Sequence, residues 1–307
     1  MTIKVPSIEL AIIGGTGFYR LHTHSKLLEL KQTIPVAKTP WGETSSPIEI
    51  YQVSNTNLHV AFLSRHGEDH QFPPTKVPFA ANLSFLKHIG VKSILSFSSV
   101  GSLREEIKPG DFVLPDQIID RTKGERLSSY FNEVGLVGHV SFGEPFSHDL
   151  QKFIIDNVNC VDFHVNGTLI CMEGPQFSTR AESVMYKDAF KASIINMSVV
   201  PEAKLARELE LPYQMCCMCT DYDSWRVHED VVTIDEIKKT LHQNSVNSIK
   251  VVTQFIEALI SNPPSFITTK NPYKGMTKRS ISTKTSDEYI TQDLKQKILY
   301  IFPDWFI

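Results

Sequence analysis

The stretch IELAIIGGTG, residues 8–17, is a short apolar segment that leads directly into a glycine-rich turn. The segment LHVAFLSRHG, residues 58–67, repeats this design, and VKSILSFSSVGSL, residues 91–103, ends in small hydroxyl residues and glycine. Short apolar runs bounded by turn residues are typical of buried strands. We therefore predict buried strands at these three places, each followed by a polar turn.

Helical patterns lie between the predicted strands. TKVPFAANLSFLKHI, residues 75–89, has apolar residues at helical spacing and is followed by Gly90, where a helix C-terminus is expected. Capping boxes begin two further helices, one at Thr179 with Glu182 and one at Thr233 with Glu236.

Two more apolar strands, ASIINMSVVP at 192–201 and YQMCCMCTDYD at 213–223, continue the alternation of strands and helices. Such alternation predicts an α/β fold with a mostly parallel, twisted mixed sheet and helices on both faces. We expect one domain over residues 1–307, with an insertion or flexible loop at about 262–288, where the chain is rich in Lys, Thr and Ser.

Composition narrows the class of protein. The chain has 307 residues, of which 41% are hydrophobic and 21% charged, as in globular proteins. A net charge of -3 indicates neither a nucleic-acid partner nor an anionic membrane surface. No apolar run is long enough to span a bilayer, and the N-terminus lacks a signal-peptide pattern. The five cysteines match neither a disulfide framework nor a zinc motif, so we expect buried thiols in the reducing cytoplasm.

Phosphate-binding side chains follow the first three strands. Thr16 lies in GGTG, Arg65 and His66 follow the second strand, and FSSVG contributes Ser98 and Ser99. Open α/β sheets bind ligands outside the carboxyl ends of their strands, so GGTG, SRHG, FSSVG, NMS and TDYD should meet at one edge. Guanidinium, imidazole and hydroxyl groups bind phosphate, and glycine lets backbone N–H groups approach it closely. These motifs together indicate a phosphate site.

Other interpretations of these motifs remain open. A ligand-free tight turn explains GGTG as well, and surface charge explains SRHGEDH. The dinucleotide fingerprint fails because Arg20 stands where its third glycine belongs, and the P-loop fails because Gly-Lys-Ser/Thr is absent. His66 and His70 lack a third metal ligand, so we expect no metal. A serine nucleophile is disfavoured because GxSxG is absent.

Asp221 and Asp223 follow the apolar run YQMCCMC. On an extended strand end they would point to the same side, because side chains alternate with period two. Two such carboxylates repel unless a ligand pairs with them or one takes a proton. A 6-aminopurine fits, since its amine can donate to one carboxylate and the other can protonate N7, which is general-acid catalysis. An ordinary turn and a metal site are the alternatives.

Several motifs together resemble the trimeric class of the purine nucleoside phosphorylase family, in particular its members that act on methylthioadenosine. The motifs are IIGGTGFY at 12–19, LSRHGEDHQFPPTKVPFAAN at 63–82, GSLREEIKPGDFVLPDQIIDRT at 101–122, EGPQFSTRAES at 173–183, INMSVVPEAKLARE at 195–208 and TDYDSW at 220–225. The resemblance runs from about Ile8 to Leu259, and residues after about Asn262 match poorly. It implies phosphorolysis of methylthioadenosine to adenine and 5-methylthioribose 1-phosphate, a pentosyl transfer in methionine and purine salvage.

The resemblance also implies roles for individual residues. The phosphate ligands fall on Thr16, Arg65, His66, Ser98, Ser99 and Ser198; the family usually has threonine at the first and last of these three serines. The ribose and base ligands fall on Met197, Asp221, Tyr222 and Asp223, with Asp221 as the catalytic residue facing N7. Ser178 falls on a position tied to purine specificity, and Ile234 and Ile237 fall on positions around the methylthio group. His139 falls on a histidine that in the family reaches a neighbouring subunit's site. Lys238 departs from the family's usual apolar residue beside the methylthio group.

The resemblance further implies a homotrimer in the cytoplasm, and in the nucleus as well, with inorganic phosphate as co-substrate and no cofactor. Small molecules are the expected partners, with no nucleic acid and no membrane. A phosphorylase for other purine nucleosides and a nucleoside hydrolase are the alternative functions. A hydrolase would not need the cluster around Thr16, Arg65 and His66, and a dehydrogenase would need a glycine at Arg20.

Overall fold

The computed structural model describes residues 5–19, 21, 27–226, 234–268, 271–281 and 289–306. The apolar stretch that opens the chain forms strand β1, Leu10–Gly14, and is buried along its whole length. Ala11 and Ile13 enter one apolar core, whereas Leu10 and Ile12 enter another. Because side chains alternate across a strand, a strand with a core on each face must be apolar throughout. This strand therefore lies in the middle of a layered fold.

Eleven strands of the described residues form one sheet. All the strands except β3 and β4 belong to this sheet. The strands after β1 are β2 (Leu28–Ile34), β3 (Lys38–Thr39), β4 (Gly42–Glu43), β5 (Ile48–Val53), β6 (His59–Ser64), β7 (Ile94–Ser102), β8 (Phe112–Leu114), β9 (Gln117–Arg121), β10 (Phe163–Val165), β11 (Thr168–Met172), β12 (Ile194–Asn196) and β13 (Tyr213–Asp221). The order is β10-β8-β13-β7-β1-β6-β5-β2, with β9 and β11 joined through β12 to β7. The central strands β13, β7, β1 and β6 are parallel, whereas the pairs β13–β8, β7–β12, β6–β5 and β5–β2 are antiparallel. The predicted mostly parallel mixed sheet is confirmed.

Helices cover both faces of this sheet. They are α1 (Phe79–His88), α2 (His148–Asn157), α3 (Arg180–Asp188), α4 (Val199–Glu208), α5 (Ile234–Ser261), α6 (Ser265–Thr268), α7 (Met276–Arg279) and α8 (Gln292–Ile301). Helices α1, α4 and α8 share the core of Ala11 and Ile13, and α2 and α5 share the core of Leu10 and Ile12. The predicted three-layer α/β domain is therefore confirmed.

Local signals placed two helix ends correctly. Gly90 follows α1 with φ +84°, the left-handed conformation that glycine adopts at low cost. At the start of α3, Thr179 Oγ1 accepts from the N–H of Glu182, whose side chain accepts from the N–H of Thr179. The capping box predicted at Thr233 and Glu236 lies outside the described residues and side chains.

Strand β7 splits the sheet and so creates room for a site. Its pairing with β1 ends at Ser96, and its pairing with β12 begins at Gly101. The strands β1 and β12 thus diverge from β7 along residues 97–100. Ser98, Ser99 and Val100 of β7 face this gap with residues of the turns after β1 and β12, whereas Phe97 is buried in the core.

Residues 262–268 and 271–281 lie in the segment for which the sequence predicts an insertion or flexible loop. It contains α6 and α7, and Phe266 and Ile267 are buried. The carboxylate of Glu210 accepts hydrogen bonds from the N–H groups of Gly275 and Thr277, at 2.7 and 2.9 Å. Two apolar anchors and one buried carboxylate therefore hold a segment whose average composition is polar.

All five cysteines carry free thiols, and Cys216, Cys217 and Cys219 are wholly buried in β13. They act as small apolar side chains, as expected. Burial raises the pKa of the Cys171 thiol to about 12, which keeps it protonated. Among the described helices, none combines the length and the apolar character that a membrane crossing requires.

Candidate active site

A cavity of about 540 Å³ lies at the split in the sheet. Its wall draws on the turns after β1, β6 and β12, on the second half of β7, and on the end of β13. The predicted convergence of five strand ends is therefore found in the fold. Eight residues proposed from sequence lie in this wall: Thr16, His66, Ser98, Ser99, Met197, Ser198, Asp221 and Asp223.

Other predicted residues lie outside the wall. Arg65 and Ser178 are buried just behind it, and Tyr222 packs on Trp225 with its ring under Arg226. His139 is exposed and lies beside a separate cavity with Lys204 and Arg207. The side chains of Ile234 and Ile237 lie outside the described part of α5, whereas that of Lys238 is exposed.

One end of the cavity is lined with hydroxyl groups. The Oγ atoms of Ser98 and Ser198 lie 3.1 Å apart, although the residues are far apart in the chain. Asn196 holds both, because its Nδ2 donates to Ser98 Oγ at 3.1 Å and to Ser198 Oγ at 3.4 Å. Ser99 Oγ donates to the carbonyl oxygen of Thr16 at 3.1 Å, which ties β7 to the glycine-rich turn. This end therefore holds three hydroxyl groups, two of which an anion could draw away from their present partners.

Gly15 makes this close packing possible. A Cβ at this position would lie 2.4 Å from the carbonyl oxygen of Phe97 and 2.6 Å from Nη1 of Arg65. Any side chain here would push the turn away from β7. The glycines of GGTG thus allow backbone contact between two strand ends.

His66 is a neutral imidazole in this wall. Burial lowers its pKa to about 4, and the positive charge of Arg65 acts in the same direction. Its Nδ1 lies 2.9 Å from the carbonyl oxygen of Phe72. Because a carbonyl can only accept, Nδ1 carries the proton and Nε2 is the acceptor in the neutral ring. A neutral His66 can therefore accept a hydrogen bond at Nε2 from a protonated ligand atom.

We expect His66→Asn to raise the KM for phosphate roughly 10- to 150-fold, since hydrogen bonds to charged groups contribute about 1.5–3 kcal/mol. Asparagine retains a donor near Nδ1 and removes Nε2. Initial rates at varied phosphate concentration measure the effect.

The same substitution should flatten the acid side of the stability profile. Unfolded His66 gains a proton near pH 6.5, whereas the folded ring does not until about pH 4, so stability falls as the pH drops between these values. His88→Asn is the control, because His88 makes the same Nδ1 contact to a carbonyl, that of Tyr300, at an exposed site. An unchanged KM for phosphate in His66→Asn would contradict the expected contact between His66 Nε2 and phosphate.

Arg65 is buried behind the cavity wall rather than in it, and its part in binding phosphate stays a prediction. Its Nε and Nη2 form a bidentate ion pair with Glu202 at 2.7 and 3.0 Å, and both side chains are almost fully buried. Nη1 donates to the carbonyl oxygen of Phe97, and Nη2 also donates to Ser96 Oγ. Burial by itself lowers the pKa of Arg65, but attraction to Glu202 outweighs it and the pKa is raised. The guanidinium stays charged directly behind the turn of Gly15.

The two carboxylates lie beside Gly101 on β7, whereas the serine pair lies at Ser98, so the carboxylates occupy the other end of this stretch of the wall. Asp221 is the last residue of β13, and its Oδ2 accepts from Thr220 Oγ1 at 2.7 Å. Its Oδ1 accepts from the N–H of Asp223 at 2.8 Å. Both carboxylates line the cavity as predicted, but the period-two reasoning behind this was wrong for Asp223. That residue lies in a turn with φ +49°, so its direction is set by the turn and by side-chain contacts.

Apolar side chains join the two polar ends. They are Val100, Met172, Pro175, Phe177, Ile195 and Met197. Arg126 positions two of these wall segments, since its guanidinium donates to the carbonyl oxygens of Met197, Val200 and Glu173 and to the carboxylate of Glu173. The cavity therefore suits a ligand with an apolar middle, an anionic end and a hydrogen-bonding end.

Sequence analysis missed Asn196, Arg126 and Glu202 as parts of this site. Asn196 and Glu202 lie inside the quoted motif INMSVVPEAKLARE, but no pattern in the sequence indicates that their partners are Ser98 and Arg65. Arg126 lies in a loop without a motif. Within the described residues, no group of three or more His, Cys, Asp or Glu side chains could hold a metal ion.

Comparison with known proteins identifies relatives of this chain. The family model for the phosphorylase superfamily matches residues 9–257. An S-methyl-5'-thioadenosine phosphorylase of Emericella nidulans is 43% identical over 306 residues, covering 97% of this chain and 84% of the relative. One from Coprinopsis cinerea is 49% identical over 261 residues, covering 82% of this chain and 78% of the relative.

Solved structures give the same result for the fold. A methylthioadenosine phosphorylase from an antarctic soil metagenomic library superposes with a TM-score of 0.84 at 36% identity, covering 97% of this chain and 100% of the other. Methylthioadenosine phosphorylase from Schistosoma mansoni in complex with adenine superposes with a TM-score of 0.79 at 30% identity, covering 91% and 99%.

Proposed function

This chain belongs to the phosphorylase superfamily, and from that membership we propose that it is a pentosyltransferase that cleaves S-methyl-5'-thioadenosine with phosphate. The products are adenine and 5-methylthioribose 1-phosphate. The observation that carries this proposal is the cavity itself, whose wall holds His66, the hydroxyl pair of Ser98 and Ser198, and two carboxylates beside Gly101, further along β7. Relatives named for this activity cover nearly the whole chain.

Phosphate occupies the hydroxyl end in this proposal. Ser98 and Ser198 supply hydroxyl groups to it, and Ser99 can donate only when its O–H leaves the carbonyl oxygen of Thr16. His66 contributes Nε2. Arg65 acts from behind the wall: its fixed positive charge, beside Gly15, makes the local potential more favourable to an anion even though Glu202 neutralises part of it.

The base occupies the carboxylate end. The exocyclic amine of adenine donates to Asp223, and Asp221 shares a proton with N7. Hydrogen bonds from Thr220 Oγ1 and from the N–H of Asp223 hold the carboxyl group of Asp221 in place for this contact. Protonation at N7 makes adenine a better leaving group.

Cleavage then follows from positioning. The C–N bond lengthens first, the ribosyl centre gains oxocarbenium character, and phosphate on the face opposite the base collapses onto C1'. Holding both reactants in line can lower the barrier by roughly 7–11 kcal/mol. Met197, in the wall between the two ends, lies where the ribose would sit.

The proposal extends to assembly, cofactors and location. We propose a homotrimer in which His139, exposed on the single chain, completes a neighbouring site, with Ile234 and Ile237 around the methylthio group. The reaction needs phosphate as co-substrate and no cofactor. Free thiols suit the cytoplasm and the nucleus, where methionine and purine salvage would use the products.

The test is adenine release from methylthioadenosine with and without phosphate, with inosine as a second substrate. Phosphate-dependent release from methylthioadenosine and none from inosine is the expected result. Release without phosphate would make the protein a nucleoside hydrolase. Preferential cleavage of inosine would make it a phosphorylase for 6-oxopurine nucleosides.

A further inference from the structure

Ser183 lies on α3, directly behind the carboxylate end of the cavity. Its side chain is wholly buried, and its Oγ donates to Oδ2 of Asp223 at 2.5 Å. The capping box of Thr179 and Glu182 fixes the first turn of α3, so the hydroxyl is carried by a rigid element. Ser183 thus connects a helix to one of the two carboxylates that face the cavity.

Asp223 depends on such a contact for its orientation. It follows the last residue of β13 by two positions and has a left-handed backbone, outside the hydrogen-bonded ladder. Its N–H donates to Asp221, which fixes the backbone but not the carboxyl group. With Oδ2 held by Ser183, the carboxyl group can offer Oδ1 to a ligand.

The charge of Asp223 is also sensitive to its neighbours. Burial raises the pKa of Asp223, whereas hydrogen bonds from Ser183, Ser178 and the Ser224 N–H lower it. Glu182 on α3 opposes a further negative charge on Asp223, and Asp221 on β13 is the carboxylate bonded to its N–H. Removal of the Ser183 donor therefore favours the protonated form.

We propose that Ser183 is a positioning residue that holds Asp223 as a hydrogen-bond acceptor and so sets the preference for 6-aminopurines over 6-oxopurines. The inference rests on the proposed function. The exocyclic amine of a 6-aminopurine only donates, so it pairs with an ionised carboxylate. The 6-oxygen of a 6-oxopurine only accepts, so it pairs with a protonated carboxyl group, which can donate.

The experiment compares wild type with Ser183→Ala on methylthioadenosine and on its 6-oxo analogue, methylthioinosine, at saturating phosphate from pH 5 to 9. We expect kcat/KM for methylthioadenosine to fall about tenfold, mainly through a higher KM, because one hydrogen bond to a charged group is lost. Activity on the amino substrate falls as the pH drops through the pKa of Asp223, so this acid limb should move to higher pH in the variant. The relative activity on methylthioinosine should rise, and Ser183→Thr should restore wild-type behaviour.

Ser248→Ala is the matched control, since Ser248 is a wholly buried helical serine whose Oγ donates to the carbonyl oxygen of Asn244. It reports the general cost of losing a buried hydroxyl. An unmoved acid limb and an unchanged substrate ratio in Ser183→Ala would overturn the proposal. If wild type cleaves neither nucleoside, the proposed function fails, and calorimetric binding of adenine and hypoxanthine to both proteins still decides the role of Ser183.

Discussion

Asp221→Asn is expected to lower kcat for methylthioadenosine about 10²–10⁴-fold, the range that general acid–base catalysis contributes. Asparagine matches the size of the side chain, and its oxygen can still accept one of the hydrogen bonds from Thr220 and the Asp223 N–H. What it loses is the ability to share a proton with N7. The KM for phosphate should change little, because Asp221 lies at the opposite end of the cavity from the serines.

The measurement is adenine release at saturating phosphate, with thermal unfolding recorded on the same samples. Asp69→Asn is the control, since Asp69 is an exposed carboxylate on the turn that carries His66. Near-normal turnover in Asp221→Asn would remove Asp221 from the acid role. Equal losses in Asp221→Asn and Asp69→Asn would point to a general charge effect instead.

Glu202→Gln is expected to destabilise the fold by about 3–5 kcal/mol, the usual cost of removing one partner of a buried ion pair. Glu202 accepts hydrogen bonds from two nitrogens of Arg65, from Ser96 and from Tyr213. A glutamine has one acceptor oxygen and turns an NH₂ group towards these donors. Arg65 would then keep its charge in a buried site without a counter-ion.

Urea unfolding at neutral pH measures this loss. Glu29→Gln is the control, because Glu29 forms an ion pair with Lys31 on the surface and should change stability by less than about 0.5 kcal/mol. Equal stability of the two variants would show that the buried pair contributes nothing to the fold.

Local sequence patterns were sufficient to predict the layered fold. Alternate residues of β1 enter separate cores, so a continuous apolar run followed by glycine is required there. Gly90 and the capping box of Thr179 and Glu182 mark helix ends through contacts within a few residues. These signals are short-range, and a single sequence contains them.

The sequence also predicted most of the polar residues in the cavity wall, because the ligand-binding groups of an open α/β sheet follow its strand ends. It did not determine how each residue is used. Arg65 lies behind the wall because Glu202, 137 residues away, holds it there. Asp223 faces the cavity through a left-handed turn and the hydroxyl of Ser183 rather than through strand alternation.

The sequence by itself therefore determined the helices and strands, their order, and the edge of the sheet at which the polar strand ends would meet. Only the tertiary structure decided which groups are charged, which are paired and which face a ligand. The physical reason is that apolar periodicity and turn chemistry act between neighbours in the chain. Hydrogen bonds such as Ser98 to Ser198, and the burial that lowers the pKa of His66, arise only when distant segments pack together.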